Sequence, residues 1–302
     1  PEINWSPNLV SLVGEAERAL AELSWVGQNF PEPHVMARAF IRQEAVMSSR
    51  IEGTRASLDD VYQYEADQLS FLEPNSDVRE VHNYVTALDY GITRLNSLPV
   101  SLRLIRELHH RLTEGVRGDI WTPGEFRQSQ NWIGAAGSTL ETAAYVPPPV
   151  EEMTAALGQL ERFIHNPSDL PQVVRAGLIH YQFEAVHPFL DGNGRVGRLL
   201  ISLLLCQWKL LPQPLLYLSG FFEKNRSEYY NLLLAVSQRG RWEEWLSFFL
   251  TGIRDQSRVT TRCVQGLQSL RTKYYGLHAG KRDGLRLNKL VDYLIGSPIV
   301  TI

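Results

Sequence analysis

The chain has 302 residues and a mass of 34.4 kDa, with 44% hydrophobic and 21% charged residues, which is typical of a globular protein with a substantial core. Its 30 Lys and Arg against 33 Asp and Glu give a net charge of −3, which excludes a general attraction to nucleic acid or anionic lipid. The longest apolar run, 199–206, is far shorter than the roughly 20 residues that a membrane span needs.

Neither the first residues nor the cysteines indicate secretion. The opening PEINWSPNLV lacks the basic and apolar segments of a secretory signal, although a processed precursor would look the same. Cys206 and Cys263 are far apart, and Cys206 lies in an apolar run, which favours buried free thiols over a disulfide. We therefore expect a cytoplasmic protein.

Apolar residues recur at three- and four-residue spacing along most of the chain, which predicts a mainly α protein. The sequence SLDD at 57–60 predicts a capping box with Asp in place of Glu at the start of one helix. The predicted helices cover residues 9–23, 34–49, 57–66, 78–95, 102–115, 150–164, 172–186, 194–211, 226–237 and 242–275.

A short β-hairpin is predicted at 128–146, where SQNWIG and TAAYV flank the Gly-containing turn GAAGSTLE. Near the end, the polar linker 278–284 is followed by LRLNKLVDYLIGSPIVTI, which predicts a helix and then a strand. These last residues are too few to bury a core of their own. They read as the first part of a further module.

The segment HPFLDGNGRVGR at 187–198 concentrates a histidine, a carboxylate, three glycines and two arginines. Its glycines spell GxGxxG, but a dinucleotide-binding fingerprint should follow a strand and precede a ribose-binding acid, and neither condition is met. Protein-kinase signatures are also absent. HEXXH is absent too, and the adjacent His109 and His110 read as structural or solvated residues rather than metal ligands.

Local physical chemistry predicts a polyphosphate site at this segment. Gly192, Asn193 and Gly194 open a helix whose free N–H groups attract anions, while Arg195 and Arg198 lie on its first turn. Asp191 would repel phosphate unless a Mg²⁺ ion lies between them. A histidine at the end of the preceding helix, His187, could accept the proton of an attacking hydroxyl.

The segment resembles the signature of the Fic family, H-x-F-x-(D/E)-G-N-G-R-x-x-R, at every defined position. The resemblance implies a helical Fic fold that transfers AMP from Mg·ATP to a Ser, Thr or Tyr hydroxyl of a protein. It makes His187 the general base and Asp191 the metal ligand. The implied nucleotide-binding residues are Gly192, Asn193 and Gly194 as anion hole, Arg195 at the β-phosphate, Val196 and Gly197 beside it, and Arg198 at the γ-phosphate.

Further parts of the chain resemble other Fic elements. The hairpin at 128–146 is similar to the family's flap, which aligns a target segment, and its Trp132 and Ile133 would touch the nucleotide. Tyr230 falls where the family places an adenine contact. A family asparagine corresponds to Ser237 here, which leaves the choice of base open.

SSRIEGT at 48–54 resembles the family's inhibitory motif, (S/T)-x-x-x-E-(G/N), through Ser48, Glu52 and Gly53. A glutamate paired in bidentate fashion with Arg198 would occupy the γ-phosphate position. The resemblance therefore implies autoinhibition. In some relatives the same glutamate supports removal of AMP from the target, and that second activity stays open.

The resemblance divides the chain into an N-terminal helical region at 1–98, a Fic core at 99–255, a C-terminal helix at 256–282 and the start of a winged-helix-like module at 283–302. The implied partner is a target protein or the chain itself, and homodimers are frequent in relatives. No DNA binding is expected from the truncated module, nor any membrane contact. Transfer of another group, such as phosphate, UMP or phosphocholine, and a nucleotide-sensing regulator remain alternatives.

Overall fold

The computed structural model of this chain describes residues 1–66, 76–116, 122–135 and 137–299. The described residues form twelve helices and no sheet, which confirms the mainly α prediction. The helices are α1 (Pro7–Gln28), α2 (Pro33–Ile51), α3 (Leu58–Ala66), α4 (Ser76–Arg94), α5 (Leu102–Thr113), α6 (Val150–His165), α7 (Gln172–Val186), α8 (Asn193–Gln207), α9 (Ser219–Lys224), α10 (Arg226–Arg239), α11 (Trp242–His278) and α12 (Gly284–Gly296).

Most predicted helices begin and end within a few residues of their predicted positions. The capping box is confirmed, because the Ser57 Oγ accepts from the Asp60 N–H and the Asp60 carboxylate accepts from the Ser57 N–H, at 3.2 and 2.8 Å. The predicted helix at 194–211 was too long, since Lys209 adopts a left-handed conformation that ends it. Helix α9 was not predicted, because six residues carry too little periodicity.

Two apolar clusters meet along α7 and α8. One cluster lies among α1, α2, α7, α8, α9, α10 and α11, and the other among α2, α3, α4, α5, α6, α7 and α8. Helix α7 is apolar on nearly all sides, as a helix at the centre of a fold must be. The short connection at 187–192 is therefore held between two packed cores.

The predicted hairpin at 128–146 is reduced to one antiparallel bridge among the described residues, between Ile133 and Tyr145. Its two backbone hydrogen bonds measure 2.9 and 3.1 Å. Trp132 and Ile133 are exposed, so the segment has no buried face on which longer strands could pack. The prediction of a paired flap was therefore wrong in extent, and Ala136 lies outside the described residues.

The C-terminal helix α12 packs on α11 and α2. Arg271 on α11 makes an ion pair of 2.7 Å with Asp292, and Arg42 on α2 donates to the Gly296 carbonyl at 3.4 Å. The predicted strand does not form at 297–299, and its remainder, 300–302, lies outside the described residues.

Neither cysteine forms a disulfide, as predicted, but Cys263 is exposed rather than buried because it lies on the solvent side of α11. Among the helices of the described ranges, none combines the length and apolarity that a bilayer span requires.

Candidate active site

The connection between α7 and α8 is a rigid loop with two left-handed residues. His187 ends α7 at φ 48° and ψ 61°, and Gly192 begins α8 at φ 76°. The Asn193 side chain both donates to the Phe189 carbonyl and accepts from its N–H, each at 2.8 Å. Phe189 is fully buried and stacks on His109 at 3.7 Å, so it anchors the loop in the core.

His187 is held neutral by its surroundings. Burial lowers the pKa of its imidazole to about 4, and its Nδ1 lies 3.3 Å from the Glu184 carbonyl oxygen. With the proton on Nδ1 and donated to that carbonyl, Nε2 keeps its lone pair. The ring is then prepared to accept a proton.

The start of α8 faces the end of α2, and Glu52 occupies the space between them. Glu52 is the C-terminal cap of α2, and Gly53 turns the chain away at φ 99°. A Cβ atom at Gly194 would lie 2.3 Å from the Glu52 Oε1 atom. The glycine therefore makes room for a carboxylate at the N-terminus of α8, where anions bind.

Arg198 joins these two helices from a fully buried position. Its Nη2 lies 2.6 Å from the Glu52 Oε1 atom, while Nε donates to the Ser48 Oγ at 2.8 Å and Nη2 to the Ser48 carbonyl at 3.0 Å. The predicted bidentate pair is wrong, because one carboxylate oxygen, Oε1, bonds to the guanidinium through Nη2, while Nε donates to Ser48.

Glu52 is ionised in this arrangement. Burial is the largest single influence and opposes its charge, but the neighbouring cations, Arg198 first and then Arg195, together lower the pKa of the carboxyl below its ordinary value. About a third of the side chain (35%) stays exposed, so the carboxylate can leave toward solvent.

Arg195 lies beside the same helix start, with two carboxylates near it. Its Nη1 is 3.2 Å from Glu80 and its Nη2 is 3.4 Å from Asp191. Glu80 also accepts from the Thr54 hydroxyl at 3.0 Å, which connects the end of the inhibitory segment to Arg195. Sequence reasoning missed Glu80, because no spacing relates α4 to the 187–198 segment.

Asp191 presents a carboxylate that is 59% exposed at the mouth of the site. Among the described residues, no group of three or more His, Cys, Asp or Glu could hold a metal ion. One exposed carboxylate next to an anion-binding helix start fits Mg²⁺ that is held mainly by phosphate oxygens. The site thus suits a metal bound together with a nucleotide.

Two stretches of the chain, which contain most of the helices described above, match a known protein family. Residues 99–205 match the Fic/DOC family, and residues 10–93 match the Fic/DOC family N-terminal region. The chain belongs to the Fic family. The 187–198 segment is therefore its Fic motif, and the 48–53 residues lie in the Fic N-terminal region.

Individual relatives agree with this assignment. The protein adenylyltransferase Fic of Drosophila virilis is 31% identical over 164 residues, which is 52% of this chain and 30% of that protein. The Drosophila melanogaster protein of the same name is 30% identical over the same length. The chain thus matches less than a third of the length of these curated relatives.

Solved structures share the fold. A Fic family protein from Desulfovibrio desulfuricans superposes with a TM-score of 0.70 at 23% identity, covering 87% of this chain and 77% of that one. Fic-1 from C. elegans gives 0.65 at 22% identity, covering 87% of this chain and 75% of that one.

The remaining predicted residues of the Fic site fall in three places. Tyr230 on α10 is 39% exposed, and burial together with the Glu52 charge raises the pKa of its hydroxyl to about 12. Trp132 and Ile133 lie on the 128–146 segment, exposed to 44% and 37%. Val196 does not face the site, because its side chain is fully buried in the core.

Gly197 has a different neighbour from the one predicted. A Cβ there would lie 2.4 Å from the Glu184 Oε1 atom, a buried oxygen without a hydrogen-bond partner among the described residues. Burial raises the pKa of Glu184 to about 7. Ser237 is exposed, and its hydroxyl forms a 2.9 Å hydrogen bond with the Tyr181 hydroxyl.

Proposed function

We propose that this chain is an autoinhibited protein adenylyltransferase that transfers AMP from Mg·ATP to a Ser, Thr or Tyr hydroxyl of a protein. The observation that carries the proposal is the Glu52 carboxylate at Gly194 and Arg198, because an ionised group there occupies an anion site that a triphosphate would need. The name of the Drosophila relatives, protein adenylyltransferase Fic, supports the choice of AMP.

The transfer would use His187 as base. The target hydroxyl oxygen attacks the α-phosphorus of ATP, its proton passes to the His187 Nε2 atom, and a new oxygen–phosphorus bond forms. The bond from the α-phosphorus to the oxygen shared with the β-phosphate breaks, and pyrophosphate leaves. The neutral state of His187 at pH 7, which burial favours, suits this role.

The other Fic-motif residues would bind and orient the nucleotide. The N–H groups at 192–194 and the two arginines face the phosphate chain, and Asp191 would hold Mg²⁺. Bound Mg²⁺ neutralises phosphate charge and so makes the α-phosphorus easier to attack. Arg195 would have to exchange Glu80 or Asp191 for a phosphate oxygen, and Arg198 would exchange Glu52.

Inhibition follows from that exchange. A γ-phosphate and the Glu52 carboxylate both require Arg198 and the bare backbone at Gly194, so they cannot bind there together. ATP bound in another pose would leave its α-phosphorus misaligned with His187. Movement of the α2 end would remove the block.

The target would dock along the exposed 128–146 segment. Trp132 and Ile133 offer an exposed apolar face, and among the described residues of the segment Ile133 and Tyr145 form its one bridge, which leaves backbone groups for an added strand. The chain itself is one such target.

The test compares purified wild type, Glu52→Gly and Glu52→Gly/His187→Ala after incubation with Mg²⁺ and ATP. Intact mass spectrometry should show added AMP on Glu52→Gly, more than about 10-fold above wild type, since a charge-assisted contact is lost. The double variant should show none. Equal labelling of all three proteins would contradict the mechanism.

Two parallel incubations separate the alternatives. UTP or CDP-choline in place of ATP should leave the mass unchanged, and a gain with either would assign another transferred group. Calorimetric ATP binding by Glu52→Gly without any mass gain, also with a lysate as protein target, would indicate a nucleotide-sensing regulator instead.

A further inference from the structure

His187 adopts a backbone conformation that a histidine rarely takes. Its φ of 48° and ψ of 61° lie in the left-handed region, where the Cβ crowds the following carbonyl oxygen. Such a conformation persists only where neighbouring groups hold it, and it directs the imidazole of the proposed base. The residues that hold it therefore matter for the chemistry.

Two side chains from one neighbouring segment donate to the His187 carbonyl oxygen. The Arg127 Nε donates at 3.0 Å and the Asn131 Nδ2 at 3.3 Å. Asn131 also donates to the Phe189 carbonyl at 2.9 Å, and the Arg127 backbone N–H donates to the Pro188 carbonyl at 2.8 Å. Three consecutive carbonyls of the catalytic loop are thus held from outside.

Arg127 is also an unusual buried cation. Its side chain is 2% exposed, and no carboxylate within the described ranges forms an ion pair with it. Its donors reach only backbone carbonyls: that of His187, that of Ser129 and that of Pro148. Burying an unpaired charge is costly, and the planar guanidinium offsets part of that cost because its Nε, Nη1 and Nη2 atoms each donate to a different carbonyl.

The carbonyls of Ser129 and Pro148 lie at the two ends of the 128–146 segment. One guanidinium therefore joins both ends of the proposed docking segment to the backbone of the proposed base. We propose that Arg127 and Asn131 are positioning residues, which fix His187 in its left-handed conformation and set its imidazole relative to a docked hydroxyl. This inference rests on the proposed function only for its kinetic test.

The chain supplies a matched control in Arg175. It is likewise a buried arginine, at 7% exposure, whose Nη2 donates only to backbone carbonyls, those of Phe163, Ile164 and Asn166. Those carbonyls lie at the end of α6, away from His187. A lysine at either position keeps the charge and loses the fork.

The kinetic test measures self-modification by Glu52→Gly with added Arg127→Lys, Asn131→Asp or Arg175→Lys. At saturating Mg·ATP the rate should fall by roughly 10- to 100-fold for the first two, because small displacements of a base are costly. The ATP concentration for half the maximal rate should stay within about 2-fold. Arg175→Lys should lower the melting temperature comparably but keep the rate. Equal rates for all three would overturn the proposal.

A spectroscopic test does not depend on turnover. Nitrogen-15 NMR of the His187 ring should show the Nδ1–H tautomer in the parent and in Arg175→Lys, and a mixture of tautomers in Arg127→Lys and Asn131→Asp. An unchanged ring spectrum in both variants would overturn the positioning role even if AMP transfer failed in every protein. A changed ring spectrum in the absence of any AMP transfer would support the positioning role but contradict the proposed function.

Discussion

Arg198 is the residue on which both states of the proposed switch depend. Its Nη2 is shared between the Glu52 carboxylate and the Ser48 carbonyl, and its Nε is bound to the Ser48 hydroxyl. Ser48 and Glu52 lie on successive turns at the end of α2, so one guanidinium binds two turns of that helix. The two Ser48 hydrogen bonds connect α2 to Arg198 independently of the Glu52 carboxylate.

The Ser48 hydroxyl gives a graded test of this contact. Ser48→Ala removes the acceptor of the Arg198 Nε and should weaken inhibition, raising self-modification by roughly 10-fold, as for other hydrogen bonds to charged groups. The increase should stay below that of Glu52→Gly. Ser49→Ala is the control, because Ser49 is equally buried and its Oγ has no partner among the described residues. Equal activation by both variants would contradict the role of Ser48.

Sequence reasoning identified the pairing of Glu52 with Arg198 but not its geometry. The motif spacing determines which residues meet, whereas the number of bonds depends on how far α2 lies along α8, and no local spacing encodes that distance. Glu80, Arg127 and Asn131 were missed for a related reason. Their hydrogen bonds to the 187–198 segment join residues 56 to 115 apart in sequence, so only the packed fold reveals them.

At the scale of elements, the end of α2 determines where the Glu52 carboxylate lies. Gly53 follows the cap residue Glu52 at φ 99°, a conformation that ends the helix without a Cβ penalty. A residue with a Cβ atom is strained at this φ, so it favours a longer helix α2 or a displaced last turn of α2. The position of Glu52 thus depends on one glycine.

Gly53→Ala should therefore loosen inhibition. Open space surrounds its Cβ position, so the cost of roughly 1–2 kcal/mol comes from the backbone alone. We expect a several-fold rise in self-modification and a lower urea midpoint. Gly158→Ala, inside α6 and also without neighbours, should instead stabilise the fold by about 0.5–1 kcal/mol and leave the rate unchanged. A Gly53→Ala protein with wild-type labelling would contradict this reading of α2.

The helices were largely predictable and the hairpin was not. Amphipathic spacing and caps such as Ser57 and Asp60 are local signals, and burial of one face then confirms the helix they begin. The 128–146 segment carries strand residues, but Trp132 and Ile133 stay exposed, and pairing needs a surface to pack upon. The segment therefore forms one bridge because the surrounding fold offers no surface for longer strands, although its residues favour strands.

At the scale of the whole molecule, buried titratable groups link stability to pH. Burial lowers the pKa of His109, His180 and His187 to about 4, 3 and 4, so these rings stay neutral in the folded chain while the unfolded chain protonates them below about 6.5. Their contribution is complete above pH 6.5 and is lost as the pH falls toward 4. Burial raises the pKa of Glu184 to about 7 and also raises that of Glu44. These two carboxyls therefore oppose the histidines, because their effect is to lower the stability of the fold as the pH rises above about 4.5.

Three histidines against two carboxyls predict a net gain of stability as the pH rises from about 4.5 to 6.5. The slope should be about 1 kcal/mol per pH unit, measured as urea unfolding free energies across that range. Glu184→Gln should make the slope steeper, because an amide cannot bind the opposing proton. A stability that falls across this range would contradict the neutral state of the buried histidines.

The division of the chain at 98, 255 and 282 stays a prediction, as does the winged-helix-like module. The packing nevertheless relates the last described helix to α2. Gly296 of α12 lies against Val35 near the start of α2, and its carbonyl accepts from Arg42 in the middle of that helix. A displacement of α12 would therefore reach the inhibitory helix through direct contact.

Gly194 accommodates either a carboxylate from α2 or, under the proposed function, a phosphate oxygen from ATP. Substitutions in α8 would thus change both the transfer reaction and its proposed inhibition. Substitutions at the end of α2 or just beyond it, such as those at Ser48 or Gly53, would change the inhibition alone. The resting activity of such an enzyme can drift by small steps in one helix while its catalytic apparatus stays intact. Selection could therefore adjust the basal level of protein modification through substitutions near the end of α2, without changing the residues that carry out the transfer.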